Sequence, residues 1–468
     1  MNHLSLSHAT LEAVLNIAKR SGADFAEVYA ERSERRNLKV INREVKEATS
    51  GIELGVGLRL FYGTDVVYAF TNKLDDASLI ELASTMSSLK GDAGRIDATG
   101  RGGLDFRTQR ATGRHAPSQR FDTQPKRYRL ERLYEVDAGA RIDAHVKQVE
   151  ASYLEWDQSV MIANSEGVYV EDNRTRSRLI ALVVAADESG AQTGHYAPGL
   201  SVGLELFERF DPNTVGKKAA DQALTNLRAR RAPAGTMPVV IGNAFGGVIF
   251  HEALGHLLET TFVAKKASVL SDQLGEQVAS PVVTYVDDGT TPHGWGSSEF
   301  DDEGRATERT VLIENGVLKS YMVDRLGSLK TGYRPTGSGR RQDYTFAPTS
   351  RMRNTFITPG TTPKAALFEG IDYGLYAKSM GGGQVSPGSG EYNFAVQEGY
   401  IIRNGKLEEP VRGAMLVGKG PESIKKIVAV SDDLLTAPGM CGSLSGSIPT
   451  EVGQPHLLIS ELVVGGEA

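Results

Sequence analysis

The sequence predicts an α+β protein: an N-terminal part of antiparallel sheet and helices, followed by a β-rich C-terminal part that carries one histidine-bearing helix. Three observations lead there. In "MNHLSLSHATLEAVLNIAKRSG", Leu11, Val14, Leu15 and Ala18 recur at helical spacing, the stripe of a capped amphipathic helix that stops at Gly22. In "DFAEVYAERS", "NLKVINREVKEAT" and "GIELGVGLRLFYG", apolar and polar residues alternate, as in half-buried strands with glycines at the turns. Glycine is also abundant, 52 of 468 residues. That exceeds the roughly 7% of average usage and suits a chain with many turns.

The remaining elements follow in order. "DDASLIELASTMSSLKG" returns to a helix. Residues 91–125 change character: rich in Arg, Gly, Asp and Thr, with few large apolar residues, they read as a solvated loop or linker, or as a basic arm that meets an acidic partner. "RYRLERLYEVDAGARID" is helical, and 146–187 reads as a meander with turns at "NSEG" and "EDNRT". "DPNTVGKKAADQALTNLRARRAP" is a helix that ends in a basic turn and Pro233. This ending divides the chain into an N-terminal α+β domain, 1–231, and a β-rich domain, 232–468. The strand "TMPVVIGN" opens the second domain, followed by the helix "FGGVIFHEALGHLLE" and then by short strands with many glycines.

Composition narrows the function. With 40% apolar and 24% charged residues the chain is of ordinary globular type. A net charge of −6 gives no global attraction to nucleic acid or to an anionic membrane. No apolar run approaches the ~20 residues that span a bilayer, and the N-terminus lacks the apolar core and cleavage site of a signal peptide. Cys441 is the single cysteine, so no intrachain disulfide forms and a cytoplasmic location is expected.

The chemistry concentrates in "HEALGH", where His251 and Glu252 precede His256 by five and four residues. An α-helix turns about 100° per residue, so side chains five apart diverge by about 140° and cannot share one ion on a regular helix. A single π-type turn or kink, with Gly255 as a plausible place for it, returns both imidazoles to one side. Val248, Ile249, Leu254, Leu257 and Leu258 surround them with apolar side chains, so the polar groups need partners. A shared divalent metal satisfies that need; two separately hydrogen-bonded core histidines satisfy it as well. Cys441, in the glycine-rich "TAPGMCGSLSGS", reads either as a small buried side chain or as a thiolate brought to the helix from a distance.

Beyond this motif the chain resembles the TldD branch of the TldD/PmbA (TldE) zinc metallopeptidases over most of its length, most strongly after residue 235. The resemblance rests on "HEALGH" followed in order by "VVTYVDDGT", "EFDDEG", "LIENGVLKSYMVDRLGSLKTG", "PTGSGRRQDY", "RNTFITPG", "GLYAKSMGGGQVSPGSGEYNF", "VRGAMLVGKG" and "MCGSLSGSIPTEVGQP". It implies that His251, His256 and Cys441 hold one Zn²⁺ per active subunit and that Glu252 is the catalytic general base for a metal-activated water. It implies a peptidase for small or unfolded peptides inside an enclosed dimeric shell, built with a PmbA/TldE-like subunit or with a second copy. Neither nucleic acid nor membrane is an expected partner. The alternative is a non-catalytic, metal-stabilised subunit that captures peptides in a complex of this type.

Gly381, Gly382, Gly383, Gly442 and Ser443 are the candidate substrate-binding residues, where a peptide backbone can come close and add as an extra strand; ordinary turn chemistry is the competing reading. "PTGSGRRQDY" lacks the spacing and terminal Lys-Ser/Thr of a phosphate-binding loop. Its Arg340 and Arg341 are expected in ion pairs or as clamps on a carboxylate, and 301–304 as a surface turn.

Overall fold

The computed structural model describes residues 4, 6–89 and 104–466. Residues 91–103 of the Arg/Gly-rich segment lie outside the described residues. The fold is α+β, as the sequence predicts.

Strands Phe25–Ile41 and Glu44–Tyr62 form one long antiparallel hairpin. Its turn is Asn42–Arg43, both at positive φ (49° and 67°). The sequence pattern hid this turn, because an arginine stands where the favoured two-residue turns have glycine. Gly55 and Gly57 lie inside the second strand. A Cβ on Gly55 would stand 2.3 Å from the Tyr344 ring, and one on Gly57 1.9 Å from the Tyr68 hydroxyl. These glycines provide clearance for aromatic side chains and make no turn. Likewise "EDNRT" is no turn: strand Val168–Asp187 runs straight through it.

The N-terminal sheet has eight strands. Its main path is Asp65–Thr71, Glu44–Tyr62, Phe25–Ile41, Val146–Asn164, Val168–Asp187 and Arg107–Arg110, with Gly190–Tyr196 and Gly199–Leu200 also on Val168–Asp187. Arg107–Arg110 therefore corrects part of the 91–125 loop reading to a parallel edge strand. Just beyond it, Glu299 accepts hydrogen bonds from the backbone N–H groups of Thr112, Gly113 and Arg114 at 2.7–2.8 Å.

Side-chain alternation sorts the two faces of this sheet. Ala26, Val28 and Ala30 pack with Leu58 and Leu60 against helices His8–Arg20 and Asp76–Ser88. Ala151, Tyr153, Ala181 and Val183 pack against helices Lys126–Ala140 and Pro212–Arg228. The intervening residues Glu27, Tyr29 and Glu31 point the other way, onto the C-terminal half. There Glu27 pairs with Arg341 at 2.8 Å and Glu31 accepts from the Tyr344 N–H at 2.9 Å.

That contact buries groups that the sequence places at the surface. Asp301 and Asp302 do sit in a turn, but both are buried; Asp302 pairs with Arg174 at 2.6 Å and accepts from the Arg341 N–H at 2.8 Å. Arg340 donates to the carbonyls of Met352 and Pro449. Both arginines are committed internally, so neither is free to clamp a substrate carboxylate.

In the C-terminal half, strands Tyr373–Val385, Gly235–Ile241, Leu457–Gly465, Met415–Lys419 and Glu391–Arg403 follow one another, and the last pairs back onto the first to close a circuit. A six-stranded sheet runs Val317–Leu318, Arg309–Glu314, Tyr285–Asp288, Asn354–Ile357, Gly446–Gln454 and Leu435–Ser443. The "HEALGH" segment shares one apolar core with both sheets, through Val239 and Ile241 on one side and Tyr285, Ile357 and Val452 on the other.

Candidate metal centre

The chain leaves strand Gly235–Ile241 and turns sharply at Ala244, whose φ is 53°. It enters an α-helix that lasts only from Val248 to Ala253. Leu254 breaks the helix (φ −133°, ψ −48°), and Gly255–Leu258 continue as a 3₁₀ turn. The distortion demanded by the five-residue spacing is present as a kink, an α-to-3₁₀ break at Leu254, and not as a π-turn. Gly255 has a separate reason to be glycine, since a Cβ there would stand 2.1 Å from Sδ of Met352. With the helix broken, the His251 and His256 rings meet edge to face, with centroids 5.6 Å apart.

Cys441 arrives from the edge strand Leu435–Ser443, paired with Ile448 across a hairpin. Its Sγ lies 3.3 Å from Nε2 of His256. Oε2 of Glu252 lies 3.4 Å from the same nitrogen. One ligand atom from each of His251, Glu252, His256 and Cys441 falls within 4.8 Å of the others. His251, His256 and Cys441 are buried, while the Glu252 side chain retains 27% exposure and is the member that reaches solvent.

The outer nitrogens are already engaged. His251 Nδ1 lies 2.8 Å from the Thr355 hydroxyl, and His256 Nδ1 lies 3.1 Å from Oε2 of Glu259. Both Nε2 atoms are thereby left for the shared space, and His251 Nε2 is buried with no hydrogen-bond partner among the described residues. Burial alone would hold the Cys441 thiol up, but the His256 and His251 charges outweigh it and bring the group down to about 5. Burial opposes a charge on His256 too, yet Glu259 and Cys441 raise it well above the usual imidazole range. Glu252 falls to about 2: burial resists, while the His256 hydrogen bond and the charges of both histidines prevail. An orphaned imidazole nitrogen facing a thiolate and a second imidazole fits a borderline-soft divalent cation.

Comparison with known proteins places the chain in a family. Family models described as PmbA/TldA metallopeptidase domain 1, central domain and C-terminal domain match residues 26–89, 117–227 and 234–466. A protein of Haemophilus influenzae named "Metalloprotease TldD homolog" is 36% identical over 99% of this chain and 97% of its own length. The chain belongs to the TldD/PmbA metallopeptidase family.

Within the family, similarity extends to a "Zinc metalloprotease TldD homolog" of Saccharolobus solfataricus, 27% identical over 96% of this chain and 98% of that protein. The crystal structure of TldE from Thermococcus kodakarensis covers 98% of this chain and all of its own, with a TM-score of 0.75 at 17% identity, a likeness of fold.

The structure thus brings together the four residues singled out for metal and catalysis. It places the proposed substrate-binding glycines in two locations. Gly442 and Ser443 directly follow Cys441, and Gly442 is exposed with open space where a Cβ would stand. Gly381, Gly382 and Gly383 lie in a bulged stretch of Tyr373–Val385, in the other sheet. Gly383 is tight there, since a Cβ would meet Asn393 O and the Phe394 ring at 2.3 Å. Three supporting residues went unread in this TldD-like sequence: Thr355, Glu259 and Arg351. Only Glu259 left a signal, standing one turn beyond His256 at the end of the quoted helix.

Proposed function

We propose that this chain is a zinc-dependent peptidase that hydrolyses small or unfolded peptides, with Glu252 as general base. The observation that carries the reading is the convergence of His251, Glu252, His256 and Cys441 within 4.8 Å. His251, His256 and Cys441 would hold the zinc, a two-imidazole, one-thiolate set that leaves a coordination position open. When bound, zinc supplies Lewis acidity that polarises a peptide carbonyl and acidifies water.

The chain's own residues supply the rest. Glu252 is ionised throughout the neutral range and reaches solvent, so it can take a proton from water and return it to the leaving amine. Thr355 and Glu259 hold the two imidazoles so that their Nε2 atoms point inward. Gly442 and Ser443, beside Cys441, give an extended peptide room to approach backbone to backbone, which favours breadth over side-chain specificity. Met440 and Leu444 flank this stretch and are exposed, 49% and 63%. Such apolar groups at the mouth of a site suit cover by a second subunit, either a TldE-like chain or another copy, enclosing the site in a dimeric shell. A buried thiol that works as a thiolate suits a reducing, cytoplasmic compartment.

The test is purification with and without a TldE-like partner, followed by zinc analysis and turnover of an unfolded peptide. Stoichiometric zinc and chelator-sensitive cleavage are expected. Peptide binding with zinc present and no cleavage in any pairing would instead identify a capture subunit.

A further inference from the structure

The two parts of the centre come from distant stretches of chain: the imidazoles from a broken helix, the thiol from an edge hairpin. One buried side chain touches the supports of both. Arg351 is fully buried. Its Nη2 donates to the Cys441 carbonyl at 2.6 Å, and its Nη1 donates to the Ser445 hydroxyl and the Gly446 carbonyl, both at 3.0 Å. The guanidinium therefore closes the Leu444–Ser445 turn onto the residue that bears the thiol. On its other edge, Nε lies 3.8 Å from Oε1 of Glu259, whose Oε2 holds His256. The Arg351 backbone is fixed as well, with its N–H donating to the Ser338 carbonyl at 2.9 Å.

We propose that Arg351 is a positioning residue for the metal centre, one that holds the hairpin bearing Cys441 at a fixed spacing from the carboxylate that orients His256. The planar, five-donor fork of arginine is what the task requires. It meets two carbonyls and a hydroxyl on one side while keeping a positive charge against a buried carboxylate on the other. A lysine at 351 would keep the charge but has one nitrogen, and cannot span the turn and Glu259 together. The inference rests on reading the cluster as a metal centre.

Arg351→Lys in the full-length protein is the test, since it leaves no buried carboxylate without a counter-charge. Zinc affinity is measured by competition with a chromogenic chelator, and ligand geometry by the visible and near-ultraviolet spectrum after cobalt replacement. We expect zinc to bind about 10- to 100-fold more weakly, with a reduced thiolate-to-cobalt charge-transfer band. In a Cys441→Ser background the same change should weaken zinc less, because one of the two supports then carries no thiol. A purely structural role would lower the melting temperature while leaving affinity and spectrum of the folded fraction intact, and that result overturns the proposal. If Arg351→Lys does not fold, Ser445→Ala removes one contact only. It should bind zinc measurably more weakly than wild type, and wild-type affinity in that variant overturns the proposal. Wild-type protein that takes up no zinc sinks the metal reading and this inference with it; wild-type uptake with an unchanged Arg351→Lys sinks the inference alone.

Discussion

Sγ of Cys441 lies 3.3 Å from Nε2 of His256, across 185 residues of chain. Both groups are buried; the charges of His256 and His251 drive the thiol down, and those of Glu259 and Cys441 drive the His256 imidazole up. Sγ and Nε2 thus face one point, where a shared cation would bind once the imidazole gives up its proton. The hairpin that delivers the thiol is as much a part of the centre as the helix that gives the motif its name.

Cys441→Ser should therefore weaken zinc retention by at least tenfold, because a hydroxyl is a poor substitute for a thiolate at a site shared with two imidazoles. Zinc content after equilibrium dialysis against graded chelator checks this. Retention equal to wild type would reduce Cys441 to packing.

Glu252→Gln should keep zinc and lose turnover. The amide preserves size but cannot take a proton, and general-base assistance is worth roughly 10²–10⁴ in rate. Peptide cleavage per mole of bound zinc is the measurement. Full activity in this variant would remove Glu252 from the chemistry.

The parts of the fold and site that were legible are those set by local pattern. Alternation exposed the strands, and the stripe of Leu11, Val14, Leu15 and Ala18 exposed the first helix. Angular arithmetic alone required the helix to break between His251 and His256. Whether a π-turn or a kink would form was not legible, because the close neighbour of Gly255 is Met352, almost a hundred residues away. Gly55 and Gly57 looked like turns for the same reason: the Tyr344 side chain and backbone press on them from the other half of the chain. Thr355 and Arg351 follow no spacing rule, and only the folded sheet reveals that one short segment supports both His251 and Cys441. The thiol itself was ambiguous by chemistry, and family resemblance decided its reading.

Glu31 predicts a pH dependence of stability. It is fully buried and has no cationic partner among its hydrogen bonds, which come from Tyr29, Gln158 and the Tyr344 N–H. Burial raises its carboxyl from 4.5 to about 7, against the pull of those donors. Between these two values the folded state keeps a proton that the unfolded chain has released. The Glu31 contribution to stability is therefore full below pH 4.5 and is lost as pH rises to about 7. Glu31→Gln mimics the protonated form, since Gln158 can turn its amide to suit. Relative to wild type, the variant should gain up to about 3 kcal/mol between pH 4.5 and 7 in urea unfolding. A difference that does not change with pH would show that Glu31 stays ionised.

Gly255→Ala tests how the two histidines are brought to one side. The residue has an ordinary backbone conformation, so alanine there suffers no φ penalty; the conflict is with Sδ of Met352, 2.1 Å from the added methyl. Met352 is fully buried, so its sulfur can move aside only by repacking a close-packed interior. Forcing an extra methyl into such packing costs roughly 1–3 kcal/mol, and here the strain falls between His251 and His256. The variant should melt at lower temperature and bind zinc more weakly. Met352→Ala alone should destabilise through the cavity it leaves, by about 2–5 kcal/mol. In the double variant the new methyl occupies part of that cavity, so its loss should be smaller than the sum of the two single losses, with zinc affinity partly restored. Strictly additive losses would mean that Met352 does not set the geometry of Gly255, and that the break at Leu254 is fixed from within the helix.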